Sequence, residues 1–308
     1  MVVRRWLAVV LVVLVASGAG CSAGTPSSAS PSASFGQGRA DVGGALLSWE
    51  CAGTGSPTVV LEAGYTASGI DTFGQAILPA IAKVTRVCTY DRAGDGTSDA
   101  RPVSSEPLTG ATQARELHEL LVAIQVTGPY VMVGHSYGGV VSREFAALYP
   151  TQVAGMVLVD ASSEPEIPVY DRLHAGPWVD GTVSPGPNQR IDIHATAREL
   201  ETAPTLGSMP LIVITAGILE DEWLRTVPDL EGRAQTRLAR LSSDSIHVID
   251  RGHGHFIPSN DPSILISAVE AVISAVKSRQ PFPSCPDVFK PVTSADCLAG
   301  GELGHQQT

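Results

Sequence analysis

The chain has 308 residues, of which 44% are apolar, 17% charged and 5% aromatic. With 20 Lys and Arg against 31 Asp and Glu its formal net charge is −11, and an acidic chain without basic runs does not read as a nucleic-acid binder. The apolar fraction is too high and the charge too dilute for a wholly disordered protein, so a globular protein with appendages is expected.

The first segment reads as an address. Arg4 and Arg5 precede an apolar run from Trp6 to Ala16. A membrane span needs about 20 apolar residues, whereas a short run behind a positive start fits a secretory signal over residues 1–21. The run ends in Ser17-Gly18-Ala19-Gly20-Cys21. That segment resembles a bacterial lipoprotein cleavage box with Cys21 as the lipidated residue, although Gly18 stands where such boxes carry an aliphatic residue, Ser or Thr. A plain cleavable signal with Cys21 incidental is the alternative. Arg4 and Arg5 are the only charges in this stretch, so without it the formal charge becomes −13. Residues 22–40 are Ser, Ala, Gly, Thr and Pro with almost nothing to bury, and read as a flexible tether. The expected location is outside the cell, anchored to its membrane by lipid or secreted.

Strands and helices alternate from residue 41 to residue 280. Ala45–Cys51 and Thr58–Glu62 are strand-like, with Gly53, Gly55 and Pro57 marking the turn between them. Thr85–Tyr90 is a further strand. Leu117, Leu120, Leu121 and Ile124 follow helical spacing, which predicts an amphipathic helix over 110–125. Tyr130–Val133 is a short apolar strand and Val140–Tyr149 a helix ended by Pro150. Strands follow at Val153–Val159, Leu211–Thr215 and Ile246–Ile249. A last helix carries Leu265, Val269, Val272, Ile273 and Val276 on one face. Such alternation predicts an α/β fold, a mainly parallel sheet covered by helices on both faces. Residues 161–205, rich in Pro and Gly, would form a short cap or lid carrying Tyr170, Leu173, Trp178 and Val179. Residues 281–308 are a Pro-rich tail.

Gly134-His135-Ser136-Tyr137-Gly138 sits between a strand and a helix, the setting of a G-x-S-x-G nucleophile elbow. A serine on so tight a turn is exposed and strained, and flanking glycines let neighbouring backbone pass without a Cβ clash. The helix start behind it favours negative charge. Here the chain resembles the α/β-hydrolase superfamily over residues 41–280. Leu61-Glu62-Ala63-Gly64-Tyr65 falls where that family has its oxyanion loop, with Ala63 in place of the usual histidine. The resemblance implies backbone donors from Tyr65 and Tyr137. Tyr90-Asp91-Arg92-Ala93-Gly94-Asp95-Gly96-Thr97-Ser98 resembles the family's D-R-x-G-x-G-x-S loop, with an expected structural role built on an Asp91–Arg92 charge network.

Gly252-His253-Gly254-His255-Phe256-Ile257-Pro258 carries the histidine of the resemblance, His255, as general base. A His-x-His pair could also bind metal, but no Cys, Asp or Glu is read at ligand spacing nearby, and neither metal nor cofactor is expected. His118, His174, His194 and His247 are expected on helix faces, in loops or on a strand, without chemistry. The acid is open. The family often places it after the strand Leu211–Thr215, where Gly217-Ile218-Leu219-Glu220-Asp221 offers Glu220 or Asp221. Asp160, closing the strand Val153–Val159, is the favoured choice. A lone Asp there is costly to bury unless paired, whereas Glu220 and Asp221 also read as a solvated acidic turn.

The resemblance implies a serine hydrolase that cleaves a carboxylic ester or related acyl bond of a small molecule through an acyl-enzyme. A cofactor-free haloperoxidase-like or C–C-bond hydrolase could use the same triad, and a catalytically dead surface binding protein is a third class. Export makes Cys51, Cys88, Cys285 and Cys297 an even set in an oxidising compartment, with three possible pairings. The family's sheet order would place Cys51 beside Cys88, leaving Cys285 and Cys297 to close the tail on itself.

Overall fold

Apolar runs with no polar face must be covered on both sides, and four of them become the middle of a sheet. In the computed structural model, residues 36–102, 108–168, 182–183, 191–220, 227 and 229–298 are described. Cys21, His174, Asp221 and the expected lid residues Tyr170, Leu173, Trp178 and Val179 lie outside them.

The strands are β1 (Gly36–Val42), β2 (Ala45–Ala52), β3 (Thr58–Glu62), β4 (Val87–Tyr90), β5 (Tyr130–His135) and β6 (Val153–Val159). They continue with β7 (Thr182–Val183), β8 (Ile191–Asp192), β9 (Leu211–Ala216), β10 (Ser245–Asp250) and β11 (Ala295–Cys297). Among the described residues nine of them form one sheet in the order β1-β2-β4-β3-β5-β6-β9-β10-β11. From β4 to β10 the neighbours run parallel. Antiparallel pairs close both edges, β1 with β2 and β2 with β4 at one, β10 with β11 at the other.

Side chains alternate across the sheet. Tyr130 and Met132 of β5 and Leu211 and Val213 of β9 face one apolar cluster, and Val131, Val133, Ile212 and Ile214 face the other. The first is covered by α3 (Gly110–Ala123), α4 (Tyr137–Leu148), α5 (Ile193–Thr202) and α6 (Asp229–Ala239), through residues such as Leu117, Phe145, Leu200 and Leu238. The second is covered by α1 (Gly69–Phe73), α2 (Ile77–Ile81) and α8 (Pro262–Ser278), through Phe73, Leu78, Leu265 and Val269. Short helices α7 (Ile257–Asn260) and α9 (Cys285–Val288) are described as well. Thr109, Asp192 and Asp261 cap α3, α5 and α8 by accepting backbone N–H groups with their side-chain oxygens.

Four expectations on element boundaries are corrected. The tether does not run to residue 40, because residues 36–40 begin β1, an edge strand with exposed Gln37, Gly38 and Arg39. Its backbone ladder to β2 holds it, and the Trp49 indole lies against Gly36 and Gly38. The domain does not stop at 280 either: Phe289 and Val292 are buried in the second cluster and β11 extends the sheet. Helix α4 starts at Tyr137, directly after the serine, rather than at Val140. β4 starts at Val87, since Thr85 instead donates its hydroxyl to the Pro57 carbonyl at 2.6 Å. The cysteine pairing follows the family's sheet order. Cys51 and Cys88 are register partners on β2 and β4 and form one disulfide, and Cys285 and Cys297 form the other.

Candidate active site

Parallel strands deliver their carboxyl ends to one edge of a sheet, and loops leaving that edge can converge. Ser136 follows β5, Asp160 follows β6, and His255 lies in the loop after β10. Ser136 sits at φ 53°, ψ −123°, a positive-φ conformation that costs an L-residue free energy. Its N–H donates to the Val159 carbonyl at 3.0 Å, and its own carbonyl accepts from Gly139 and Ser162. The glycines of the elbow are required by close approach. A Cβ on Gly134 would lie 2.5 Å from the Gly138 oxygen, and one on Gly138 would lie 2.2 Å from the Glu62 oxygen.

A serine at a helix start usually turns its hydroxyl onto the first turn. Ser136 makes no such bond. Its Oγ lies 3.0 Å from His255 Nε2, and His255 Nδ1 lies 2.7 Å from Asp160 Oδ2. A carboxylate can only accept, so Nδ1 carries the hydrogen and Nε2 is left to accept from the hydroxyl. Asp160 is 8% exposed, and its Oδ1 accepts the Ala216 N–H at 2.8 Å. Glu220, the rival acid, does not reach the imidazole; its Oε2 accepts the His255 backbone N–H at 3.1 Å. Asp221 lies outside the described residues.

Tyr65 and Tyr137 flank the serine. Gly64 abuts it closely enough that a Cβ there would lie 3.3 Å from Ser136 Cβ. Tyr137 is the first residue of α4, with its hydroxyl donating to Gln113 and its ring edge-on to Tyr65. The loop before Tyr65 is tied down by Arg92. Its guanidinium donates to Glu62 at 2.6 Å, to the Ala63 carbonyl at 2.7 Å and to the Gly64 carbonyl, and it pairs with Asp95 at 3.2 Å. The expected Asp91–Arg92 network is therefore corrected. Asp91 accepts instead from Ser68, Ile70 and Thr97, so it shapes the loop through hydrogen bonds.

His135, the second residue of the elbow, was not marked by the sequence, because the motif leaves that position unspecified. It is buried, and its Nε2–H donates to the His255 carbonyl at 2.8 Å while the two rings lie 4.8 Å apart. Burial first, then the His255 charge, pushes its pKa down to about 4, so it is neutral at pH 7. Behind Asp160 lie Glu166 and Glu231, both buried and hydrogen-bonded to each other. Burial raises both, helped by their mutual charge at Glu166 and by the Asp160 charge at Glu231.

The reading that no carboxylate stands near His253 is also corrected. Asp250, three residues earlier, and Asp261 place their oxygens with His253 Nδ1 in a cluster within 4.8 Å. His253 Nδ1 donates to Asp250, at 2.9 and 3.0 Å from its two oxygens. Asp261 caps α8 with Oδ1 and accepts the Ser294 hydroxyl on Oδ2 at 2.6 Å. The bond to Asp250 raises the His253 pKa above its ordinary value. Three of the four histidines expected to lack chemistry are described and take the expected kinds of place: His118 stacks on Tyr149 from α3, His194 is in α5, and His247 on β10 is buried beside the Thr215 hydroxyl.

Residues 57–185 match the model of the alpha/beta hydrolase fold family. The uncharacterized protein YqjL of Bacillus subtilis (strain 168) is 29% identical over 233 residues, covering 70% of this chain and 83% of its own. The "Probable transporter efuK" of Hormonema carpetanum is 23% identical over 307 residues; 80% of this chain is covered, and the chain spans 44% of that protein. Among solved structures, a thermophilic esterase from Thermogutta terrifontis superposes with a TM-score of 0.55 at 20% identity, over 78% of this chain and 99% of its own.

Proposed function

We propose that this chain, in which residues 57–185 match the alpha/beta hydrolase fold model, is an exported serine hydrolase acting on carboxylic esters of small molecules. The observation that carries this reading is the unbroken contact from Ser136 Oγ through the His255 imidazole to the Asp160 carboxylate. Ser136 attacks the ester carbonyl carbon as His255 Nε2 takes the hydroxyl proton. Asp160 holds the imidazole in the required tautomer and balances its positive charge. The backbone amides of Tyr65 and Tyr137 stabilise the oxyanion; losing one such donor typically costs about 10²–10³ in rate. His255 then passes its proton to the departing alcohol, leaving an acyl-serine. Water attacks that ester, again with His255 as base, and the carboxylic acid leaves with Ser136 restored.

Esters are favoured as the bond type because the fold is shared with a solved esterase, and the Ser136–His255–Asp160 contacts suit acyl transfer. Export is supported by the two disulfides, which form and persist in oxidising compartments. The signal pattern over residues 1–21, with Cys21 as lipid attachment point, supports it as well. No helix among the described residues is long and apolar enough to cross a membrane.

Hydrolysis of a p-nitrophenyl ester series tests the proposal. Ser136→Ala and His255→Ala should each lower turnover by about 10⁴ or more, and by similar amounts because the pair acts as a unit. Near wild-type hydrolysis by either variant would remove the assignment.

A further inference from the structure

The loop that carries His255 has no regular structure of its own, so other parts of the chain must hold it. On its inner side Gly217 donates its N–H to the Asp250 and His253 carbonyls and Ile218 to the His253 carbonyl. Glu220 and His135 hold the His255 backbone itself. On its outer side lies the C-terminal tail, which plays no part in the reaction above. The Arg251 N–H donates to the Ser294 carbonyl at 3.0 Å. The Ser294 hydroxyl donates to Asp261 Oδ2, and that oxygen lies 3.8 Å from His253 Nδ1. His253 in turn donates to Asp250, the residue at which β10 ends and the loop begins. The tail is thus joined to both ends of the segment that presents the imidazole.

We propose that the disulfide-closed tail, Cys285–Cys297, is a positioning element for His255, with Ser294 and His253 as its positioning residues. The proposal rests on the reading of His255 as the general base. β11 contributes three residues, paired to Val248, Ile249 and Asp250, and so short an edge strand holds weakly by its ladder alone. The Cys285–Cys297 bond removes that weakness. It fastens the end of β11 to the start of α9, while Phe289 and Val292 anchor the intervening chain in the core. The Arg251–Asp296 pair at 3.5 Å is about half exposed on both sides and adds little. A general base must be held within a fraction of an ångström of its working geometry, and the inner contacts constrain the loop from one side only.

The test uses the full chain in three forms: Ser294→Ala, Ser294→Thr, and Cys285→Ser with Cys297→Ser. Active sites are counted with a fluorophosphonate, and rates are expressed per labelled site, so that loss of folded protein does not register as loss of rate. Ser294→Ala should lower kcat and the labelling rate constant by about 3–10-fold, with KM within about twofold, because displacement of a base acts on the chemical step. Ser294→Thr, which keeps the hydroxyl, should restore most of the rate, and the double cysteine variant should lose more than Ser294→Ala. Wild-type rate constants per labelled site in both Ser294→Ala and the cysteine variant would overturn the proposal. So would a Ser294→Thr variant no better than Ser294→Ala. Should the double cysteine variant fail to fold, the two Ser294 variants decide alone. Failure of the wild-type protein to label at Ser136 is a separate outcome, which overturns the serine-hydrolase reading and the positioning role with it.

Discussion

Ser136 and Asp160 both occupy positive φ, at 53° and 42°, a backbone that Asp tolerates better than Ser. Each is over-determined by its neighbours: Ser136 through Val159, Gly139 and Ser162, and Asp160 through an N–H bond to Ile214 at 2.7 Å. The strain aims both side chains at the same imidazole. Asp160→Asn keeps the shape but offers an amide where an anion is needed, so turnover should fall by about 10³–10⁴. Glu220→Gln keeps an acceptor for the His255 N–H and should change turnover by less than about tenfold. Parallel ester assays on the two variants check this, and the reverse order of effects would move the acid to the later strand. Spacing in the sequence reaches Ser136 and His255, because their motifs are local. It leaves the acid open between Asp160 and the 220–221 pair, since the choice depends on which strand end faces the imidazole, a property of the sheet order. His135 carries no local signal at all; its contact to His255 spans 120 positions of sequence.

At the scale of elements, the strands buried on both faces and the helices with a clear apolar stripe were legible, because burial writes a period into the sequence. β3, β6, β9 and helix α3 fall close to their expected bounds, and α8 turns the expected Leu265, Val269, Val272, Ile273 and Val276 to the core. The edge strands β1 and β11 were not legible: all their residues but Val42 are partly or wholly exposed, and what holds them is backbone pairing plus, for β11, a disulfide. Packing between helices also stores charge. Glu144 of α4 is 3% exposed and its Oε1 has no partner; burial, with the Glu199 charge second, pushes its pKa up to about 7. The folded state therefore binds a proton that the unfolded chain has released above its ordinary value near 4.5. Its contribution is full below that value, declines as pH rises and is gone above about 7. Glu166 and Glu231 act in the same direction. Glu144→Gln should flatten the fall in Tm between pH 5 and pH 8 and stabilise the protein at pH 8 by on the order of 2–3 kcal/mol. Superimposable Tm profiles for variant and wild type would contradict that account.

Across the whole molecule, a parallel centre does the presenting and two disulfides secure the antiparallel edges. Cys51–Cys88 joins β2 to β4 over a separation of 37 residues, and Cys285–Cys297 closes the opposite edge over 12. Replacing Cys51 and Cys88 together by Ala should cost about 2–4 kcal/mol in denaturant unfolding. It should leave ester turnover per folded molecule close to wild type, because that edge lies away from the triad strands β5, β6 and β10 in the sheet order. A loss of turnover at full folding would contradict it. The proposed function puts the chemistry at one place, the hydroxyl of Ser136. The most direct test is to treat the wild-type chain with a fluorophosphonate and map the modified peptide by mass spectrometry. One adduct per chain is predicted, on Ser136, slowed by a competing ester and absent from Ser136→Ala. An unmodified wild-type chain, or a Ser136→Ala variant that still takes the label and hydrolyses ester, would contradict the account.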